Sequence, residues 1–133
     1  MENYLKAIIP SELEIFPKLT PGKDPYYFQR WDFDEDSESM VLRYCFQGSG
    51  GTRKYCKRVF VSEMEALLAN SLESGEITRQ DFRSYCEATN RDRECGFAVI
   101  IAILESLGIA AHTNRRGIYA IVDHGNAKQL LGY

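Results

Sequence analysis

The chain has 133 residues, of which 44% are hydrophobic and 26% are charged, and its formal net charge is −3. These proportions are typical of a globular domain and exclude a disordered chain. Because 16 basic residues stand against 19 acidic ones, the composition also excludes a protein held on nucleic acid by bulk positive charge. The length predicts one compact domain, in which an N-terminal sheet region, 1–61, and a C-terminal helical region, 62–133, share a core.

Residues 26–61 alternate between apolar and polar side chains and are rich in aromatic residues, a pattern typical of β-strands. The pair Gly50-Gly51 suits a two-residue hairpin turn, since glycine adopts positive φ at low cost. A hairpin closed there pairs Phe46 with Tyr55, Leu42 with Val59, Met40 with Val61 and Cys45 with Cys56.

A second turn is predicted within Glu35–Glu38, in an acidic stretch of the chain. It pairs Phe33 with Met40, Trp31 with Leu42 and Tyr27 with Phe46. The two turns are independent of one another, yet both place the same apolar side chains on one face of a three-stranded antiparallel meander. Those side chains are Tyr27, Trp31, Phe33, Met40, Leu42, Tyr44, Phe46, Tyr55, Val59 and Val61.

The opposite face of the meander carries Arg30, Arg43, Lys54 and Arg58, which we call the basic sheet face. One interpretation is a surface for an acidic partner or for a nucleic-acid backbone. The other is the solvated side of a sheet that buries only its opposite face, which alternation along the strands produces without any function.

The second half of the chain is predicted to be helical. A capping box at Ser62–Glu65 begins one helix, because a serine hydroxyl and a glutamate three residues later satisfy free backbone N–H groups. Thr78 and Asp81 begin a second helix in the same way.

A third helix is predicted from Thr89 or Asn90 to Leu107. It ends at Gly108, because glycine adopts the left-handed conformation that commonly follows a helix. Its apolar run, Phe97 to Leu104, predicts a helix covered on several sides. A β-hairpin follows, with strands at Ile109–Thr113 and Ile118–Val122 and a turn at Asn114–Gly117, and then a short helix at Asn126–Leu131.

The order of elements over residues 62–122 resembles a winged helix-turn-helix unit, in which the third helix reads nucleic acid and the hairpin is the wing. The resemblance is carried by Ile77-Thr78, which opens the second helix, and by Leu104-Glu105-Ser106-Leu107-Gly108-Ile109, which leads into the hairpin. The predicted fold is therefore α+β: the N-terminal meander plus a winged-helix-like three-helix unit with a hairpin.

The resemblance implies that Arg91 and Arg93, at the start of the third helix, contact nucleic acid together with Arg115 and Arg116 at the hairpin tip. Guanidinium groups suit both guanine edges and phosphates. On this interpretation the chain is a small cytoplasmic regulatory or accessory protein and not an enzyme. DNA and RNA both stay open as partners.

Two other functions remain open. The third helix is expected to expose a stripe that includes Glu94 and Glu105, which phosphates repel, and this favours a non-catalytic protein-interaction module or inhibitor. A thiol-dependent enzyme is the third possibility, because Cys95 lies near a helix start and a thiolate is a nucleophile. His112 or His124 is then its candidate base.

The cysteines Cys45, Cys56, Cys86 and Cys95 lack the close pairs of zinc sites, so no metal and no other cofactor are predicted. We predict reduced thiols, with Cys45 and Cys56 as neighbours on adjacent strands. The acidic N-terminus predicts no signal peptide. No apolar run approaches the about 20 residues that cross a bilayer, so no membrane contact is predicted. The number of subunits stays open.

Overall fold

The computed structural model describes residues 1–9, 15–16, 25–47 and 54–132. One antiparallel sheet has four strands in chain order: β1 (Ile15–Phe16), β2 (Tyr26–Asp34), β3 (Ser39–Gln47) and β4 (Lys54–Phe60). A second antiparallel sheet contains β5 (Glu76–Thr78), β6 (Ala110–His112) and β7 (Ile118–Ile121), with β7 in the middle. The helices are α1 (Glu2–Ile8), α2 (Val61–Ser74), α3 (Arg79–Tyr85), α4 (Glu87–Asp92), α5 (Gly96–Ser106) and α6 (His124–Leu131). The predicted α+β class is confirmed.

The register of β3 against β4 is the predicted one. The pairs are Phe46 with Tyr55, Leu42 with Val59 and Cys45 with Cys56. The predicted Gly50-Gly51 turn lies outside the described residues. The predicted pairing of Met40 with Val61 is wrong, because β4 ends at Phe60, opposite Val41, and Val61 begins α2.

The strand β2 keeps the predicted register only on one side of a bulge. The pairs that keep it are Trp31 with Leu42 and Phe33 with Met40. The register shifts between residues 28 and 30, so that Tyr27 lies opposite Cys45 and not, as predicted, opposite Phe46. A bulge adds one residue to one strand and thereby changes which side chains face inward. Tyr26 therefore takes the core position, with its ring centroid 5.8 Å from that of Phe46.

The predicted apolar face is buried at its centre and exposed near the strand ends. Buried positions include Leu42, Tyr44, Phe46 and Val59. Phe33, beside the β2–β3 turn, is 53% exposed, and Tyr55 is 37% exposed. Trp31 is partly buried, and its indole N–H donates to the Ile9 carbonyl at 3.4 Å. The core therefore covers the middle of the sheet and leaves its corners open.

A disulfide joins Cys45 and Cys56, whose Cα atoms are 4.1 Å apart. The predicted adjacency of the two residues is confirmed, whereas the prediction that both are reduced is wrong. Directly opposed residues of an antiparallel pair project to the same face with Cβ atoms about 4.5–5.5 Å apart, which brings their sulfur atoms within bonding reach. Cys86 and Cys95 are free thiols.

The helix α2 begins one residue before the predicted capping residue. Its N-cap is Phe60, and no side chain caps it, so the predicted capping box at Ser62–Glu65 is wrong. The Ser62 hydroxyl lies 3.0 Å from that of Ser39, which connects the first turn of α2 to β3.

The predicted third helix is in fact two helices, α4 and α5, separated by residues 93–95. A side chain of another helix satisfies the start of α4: the Glu63 carboxylate on α2 accepts hydrogen bonds from the N–H groups of Ala88 at 2.9 Å and Thr89 at 2.8 Å. This contact holds α4 beside α2, and the chain changes direction before it enters the core as α5.

The helix α5 lies inside the core, as its apolar run predicts. Every residue from Gly96 to Leu104 is buried, so the predicted exposed stripe does not run along α5: Glu94 is exposed before the helix, and Glu105 is partly buried near its end. The helix ends as predicted at Gly108, which has φ +72°, and the Ile109 N–H donates to the Leu104 carbonyl at 2.9 Å. The buried cluster around α5 includes residues of both 1–61 and 62–133.

Candidate functional site

The turn between β6 and β7 holds two arginines at an exposed tip. Asn114–Gly117 forms this turn, as predicted. The Thr113 hydroxyl donates to the Ile118 carbonyl at 2.6 Å and accepts from the Arg115 N–H at 3.1 Å. Gly117 takes φ +75°, a conformation that glycine adopts without strain. These contacts fix the backbone from which Arg115 and Arg116 project.

The helix α3 begins beside this turn. Its capping box is the predicted one: the Thr78 hydroxyl accepts from the Asp81 N–H at 3.0 Å, and the Asp81 carboxylate accepts from the Thr78 N–H at 3.2 Å. Thr78 is also paired with Ile118 in the sheet, and the Arg79 N–H donates to the Gly117 carbonyl at 3.3 Å. The first residue of α3 is therefore attached to the last residue of the turn.

The turn and α3 border a groove of about 620 Å³. Arg79 and Arg83 both reach it, because residues four apart lie on one face of a helix. The arginines, the histidine and the acid that line the groove are Arg79, Arg83, Arg115, Arg116, His112 and Glu94. Four guanidinium groups therefore meet one carboxylate there, and the groove is strongly cationic although the whole chain is acidic.

Two of the four guanidinium groups have partners within the fold. Arg115 forms an ion pair with Glu76 on β5. The Arg79 guanidinium lies over the Phe97 ring, 5.0 Å from its centroid. These contacts orient the two side chains at the border of the groove, while Arg83 and Arg116 are exposed.

A histidine and a glutamate form a pair at the same groove. His112 on β6 lies opposite Tyr119, as predicted, and its ring meets the Tyr119 ring edge-on at 5.0 Å. Its Nδ1 atom is 2.8 Å from Oε1 of Glu105, near the end of α5. Burial raises the pKa of Glu105, and the charge of His112 acts in the opposite direction.

The structure brings together two of the four arginines that the resemblance implied. Arg115 and Arg116 line the groove, whereas Arg91 and Arg93 do not. The predicted place of the latter two, at the start of the core helix, is wrong: Arg91 is exposed on α4, and Arg93 follows α4. The Arg93 guanidinium stacks over Phe46 at 4.7 Å from the ring centroid.

Each residue of the basic sheet face has a neighbour within the fold, and for Arg30 and Arg58 that neighbour is an acid. Arg30, Arg43 and Arg58 lie in one row across β2, β3 and β4. Arg58 is 3.2 Å from both Asp34 and Asp92, and hydrogen bonding to Asp92 raises its pKa. The other three basic side chains also have neighbours: Arg30 is 3.6 Å from Asp32, Arg43 donates to Gln29 at 3.3 Å, and Lys54 lies over Tyr27. This arrangement favours the solvated-face interpretation over a second anion site.

The two free thiols have partners that differ from those of a thiol enzyme. Cys95 Sγ lies 3.3 Å from the Tyr44 hydroxyl, whereas His112, one of the two candidate bases, is paired with Glu105. Burial raises the pKa of Cys86 to about 12, which keeps this thiol protonated at neutral pH. Among the residues that the structure describes, no three His, Cys, Asp or Glu side chains are grouped as metal ligands would be.

Sequence reasoning missed Arg79, Arg83 and the His112–Glu105 pair as parts of one site. The spacing of Arg79 and Arg83, directly after a predicted cap, was a usable signal for one cationic helix face. Their place beside the hairpin depends on β5, a three-residue strand that pairs with β7 about forty positions later, and no local pattern indicates it.

Comparison with known proteins gives no further assignment: no family model, no curated protein and no solved structure matches the chain. Over the described ranges, the helices are all too short or too polar to cross a membrane. The groove therefore has to be interpreted from its own chemistry.

Proposed function

We propose that the protein binds nucleic acid and that phosphate groups lie in the groove between α3 and the β6–β7 hairpin. The observation that carries this proposal is the convergence of four arginines on one groove from two separate elements. A guanidinium group presents paired N–H donors that match two phosphate oxygens, and it keeps its charge at all physiological pH values.

The order of elements supports the same proposal. From α2 to β7 the chain forms helices followed by a hairpin, which is the order on which the resemblance to a winged helix-turn-helix unit rests. The arginines at the hairpin tip are in the position that this resemblance gives to the wing. The resemblance did not imply the two arginines that α3 contributes to the groove.

The burial of α5 changes the expected mode of binding. A helix that is buried from Gly96 to Leu104 offers no face that enters a DNA groove, so base edges are not read from it. Contacts to phosphates position a protein on nucleic acid but carry no direct sequence information. We therefore expect binding that is strongly dependent on salt and weakly dependent on sequence.

A regulatory or accessory role, without catalysis and in the cytoplasm, is part of this proposal. Binding that depends little on the nucleic-acid sequence is consistent with an accessory role. The Cys45–Cys56 disulfide counts against the cytoplasm, because disulfides persist mainly in oxidising compartments. Acid quenching of cells followed by alkylation of thiols in denaturant, which makes the buried Cys45 accessible, tests the location: labelled Cys45 and Cys56 support the cytoplasm, and an intact disulfide contradicts it.

Fluorescence anisotropy with labelled duplex DNA, single-stranded DNA and RNA tests the proposed function. We expect binding at about 50 mM salt that weakens steeply towards about 200 mM. Arg83→Ala/Arg116→Ala removes two exposed guanidinium groups from the groove and weakens binding to every sequence. Lys6→Ala/Lys128→Ala removes two exposed cations from α1 and α6 and leaves the affinity unchanged. Equal losses in the two double variants contradict a site in the groove.

A protein-interaction module is the second candidate function, and one observation favours it. A cavity of about 450 Å³ lies between α1, α6 and the end of α5, and Met1, Tyr4, Leu107, Ile109 and Leu130 contribute to its lining. Tyr4 is 54% exposed there, and tyrosine is enriched among residues that dominate protein interfaces. This function predicts a protein partner whose binding is lost in Tyr4→Ala and depends little on salt.

A further inference from the structure

His112 lines the groove beside the partly buried carboxylate of Glu105. Its side chain is 60% exposed, yet Nδ1 lies 2.8 Å from Glu105 Oε1. That oxygen is shielded from solvent and has no conventional hydrogen-bond partner among the described residues. A buried carboxylate oxygen requires a proton donor. An imidazolium charge on His112, whose Nδ1 atom is 2.8 Å away, would compensate this oxygen.

Charged groups of several elements surround His112 and act on its protonation in opposite directions. Glu105 on α5 and Glu94 before it favour the imidazolium form. The arginines on α3 and at the hairpin tip oppose it. Tyr119 on β7 contributes a ring edge and a phenol whose pKa is raised chiefly by burial, so it stays neutral. A phosphate that enters the groove offsets the arginine charges and thereby favours proton uptake.

We propose that phosphate binding in the groove is coupled to protonation of His112, with Glu105 as the positioning residue that holds the imidazole at the groove. The proposal rests on the proposed function and adds its regulation. Imidazole is the side chain that ordinarily titrates between about pH 5 and 8, so coupling of this kind acts in the physiological range. By linkage, whatever binds the protonated form more tightly also promotes protonation.

The coupling predicts tighter binding as the pH falls. One coupled proton changes the affinity by at most about tenfold per pH unit, and only over the interval between the free and the bound titrations. The added imidazolium charge also makes the salt dependence steeper, by up to about 0.9 in the slope of log affinity against log salt on duplex DNA.

The test uses a labelled oligonucleotide at constant ionic strength, from about pH 5.5 to about pH 8.5, with the full-length chain. In the wild type we expect an affinity that rises towards low pH, and in His112→Asn an affinity that no longer follows this rise. His124→Asn is the matched control, because His124 is the other histidine and lies on α6, outside the groove. It retains the wild-type pH dependence.

Glu105→Gln separates positioning from simple packing. Glutamine keeps the size and shape of the side chain but removes the negative charge that favours the imidazolium. We expect this variant to keep a pH dependence whose midpoint lies at lower pH. A variant with the wild-type midpoint overturns the role of Glu105.

Proton NMR of the two histidine rings provides a readout that needs no substitution. Addition of the oligonucleotide is expected to move the His112 titration to higher pH and to leave the His124 titration in place. Absence of binding by the wild type at every pH overturns the proposed function. Two other results overturn the coupling but leave the proposed function in place. One is a pH dependence that persists in His112→Asn, and the other is wild-type binding that does not depend on pH.

Discussion

Glu63 and Thr89 are joined by two short hydrogen bonds between helices that are separate in the sequence. Glu63 Oε1 accepts from the Thr89 N–H at 2.8 Å and from the Thr89 hydroxyl at 2.7 Å. The Thr89 hydroxyl oxygen in turn accepts from the Phe60 N–H at 3.1 Å. One buried threonine thus connects the end of β4, the first turn of α2 and the start of α4.

The junction predicts a large cost for Glu63→Ala. The substitution leaves the N–H groups of Ala88 and Thr89 without their acceptor in a partly buried position, so we expect the free energy of unfolding to fall by about 2 kcal/mol. Urea titration followed by circular dichroism measures it. Glu63→Gln keeps an acceptor and is expected to lose less. Glu73→Ala, on the exposed side of the same helix, changes stability little, and an equal loss there contradicts the assignment.

Gly96 tests how closely α4 and α5 approach. A Cβ atom at this position would lie 2.6 Å from Cγ2 of Thr89, which is buried. We expect Gly96→Ala to lower the free energy of unfolding by about 1–3 kcal/mol, as overpacked cores do. Thr89→Ser removes the opposing methyl group and keeps the hydroxyl. The double variant is therefore expected to be more stable than the sum of the two single effects predicts. If the two single effects simply add, the added Cβ atom at position 96 does not press on Thr89, and the close contact is relieved by movement of other residues.

The disulfide predicts a stability that depends on reductant. Cys45 and Cys56 are 11 residues apart, and closing a loop of that length stabilises a fold by about 3 kcal/mol through the unfolded chain. Unfolding in urea with and without reductant measures the effect. Cys45→Ala/Cys56→Ala should be insensitive to reductant. A wild-type protein that unfolds at the same urea concentration in both conditions contradicts a stabilising bond.

The sequence predicts well those features that neighbouring residues determine. The β3–β4 register, the Thr78–Asp81 capping box, the stop at Gly108 and the hairpin turn all depend on patterns a few residues long. The features that the sequence did not predict depend on contacts between residues that are far apart in the chain. The bulge near residue 29 exchanges Tyr27 for Tyr26 in the core, and the start of α4 is satisfied by Glu63, which lies 26 positions before Thr89. The groove was half predicted, because Arg115 and Arg116 lie on a local turn whereas the partnership with α3 is not local.

Arg91 and Arg93 separate the groove from the site that the resemblance implied. Because both lie outside the groove, we expect Arg91→Ala and Arg93→Ala to leave affinity and sequence preference unchanged in anisotropy titrations. Arg93→Ala should lower the free energy of unfolding by about 0.5–1 kcal/mol, since it loses its contact with the Phe46 ring. A change in sequence preference would indicate that Arg91 or Arg93 contacts base edges, and would contradict binding through the groove alone.

Salt dependence of binding in Arg115→Ala/Arg116→Ala tests the phosphate site most directly. Both side chains are exposed at the hairpin tip, so the double variant is expected to stay folded, with a change in stability within about 0.5 kcal/mol apiece. Each phosphate contact contributes about −0.9 to the slope of log affinity against log salt on duplex DNA. Loss of both contacts should flatten that slope by about 2 units and weaken binding to all sequences alike. An unchanged slope in a folded double variant, or a wild-type protein that binds no nucleic acid, would contradict phosphate binding at this groove.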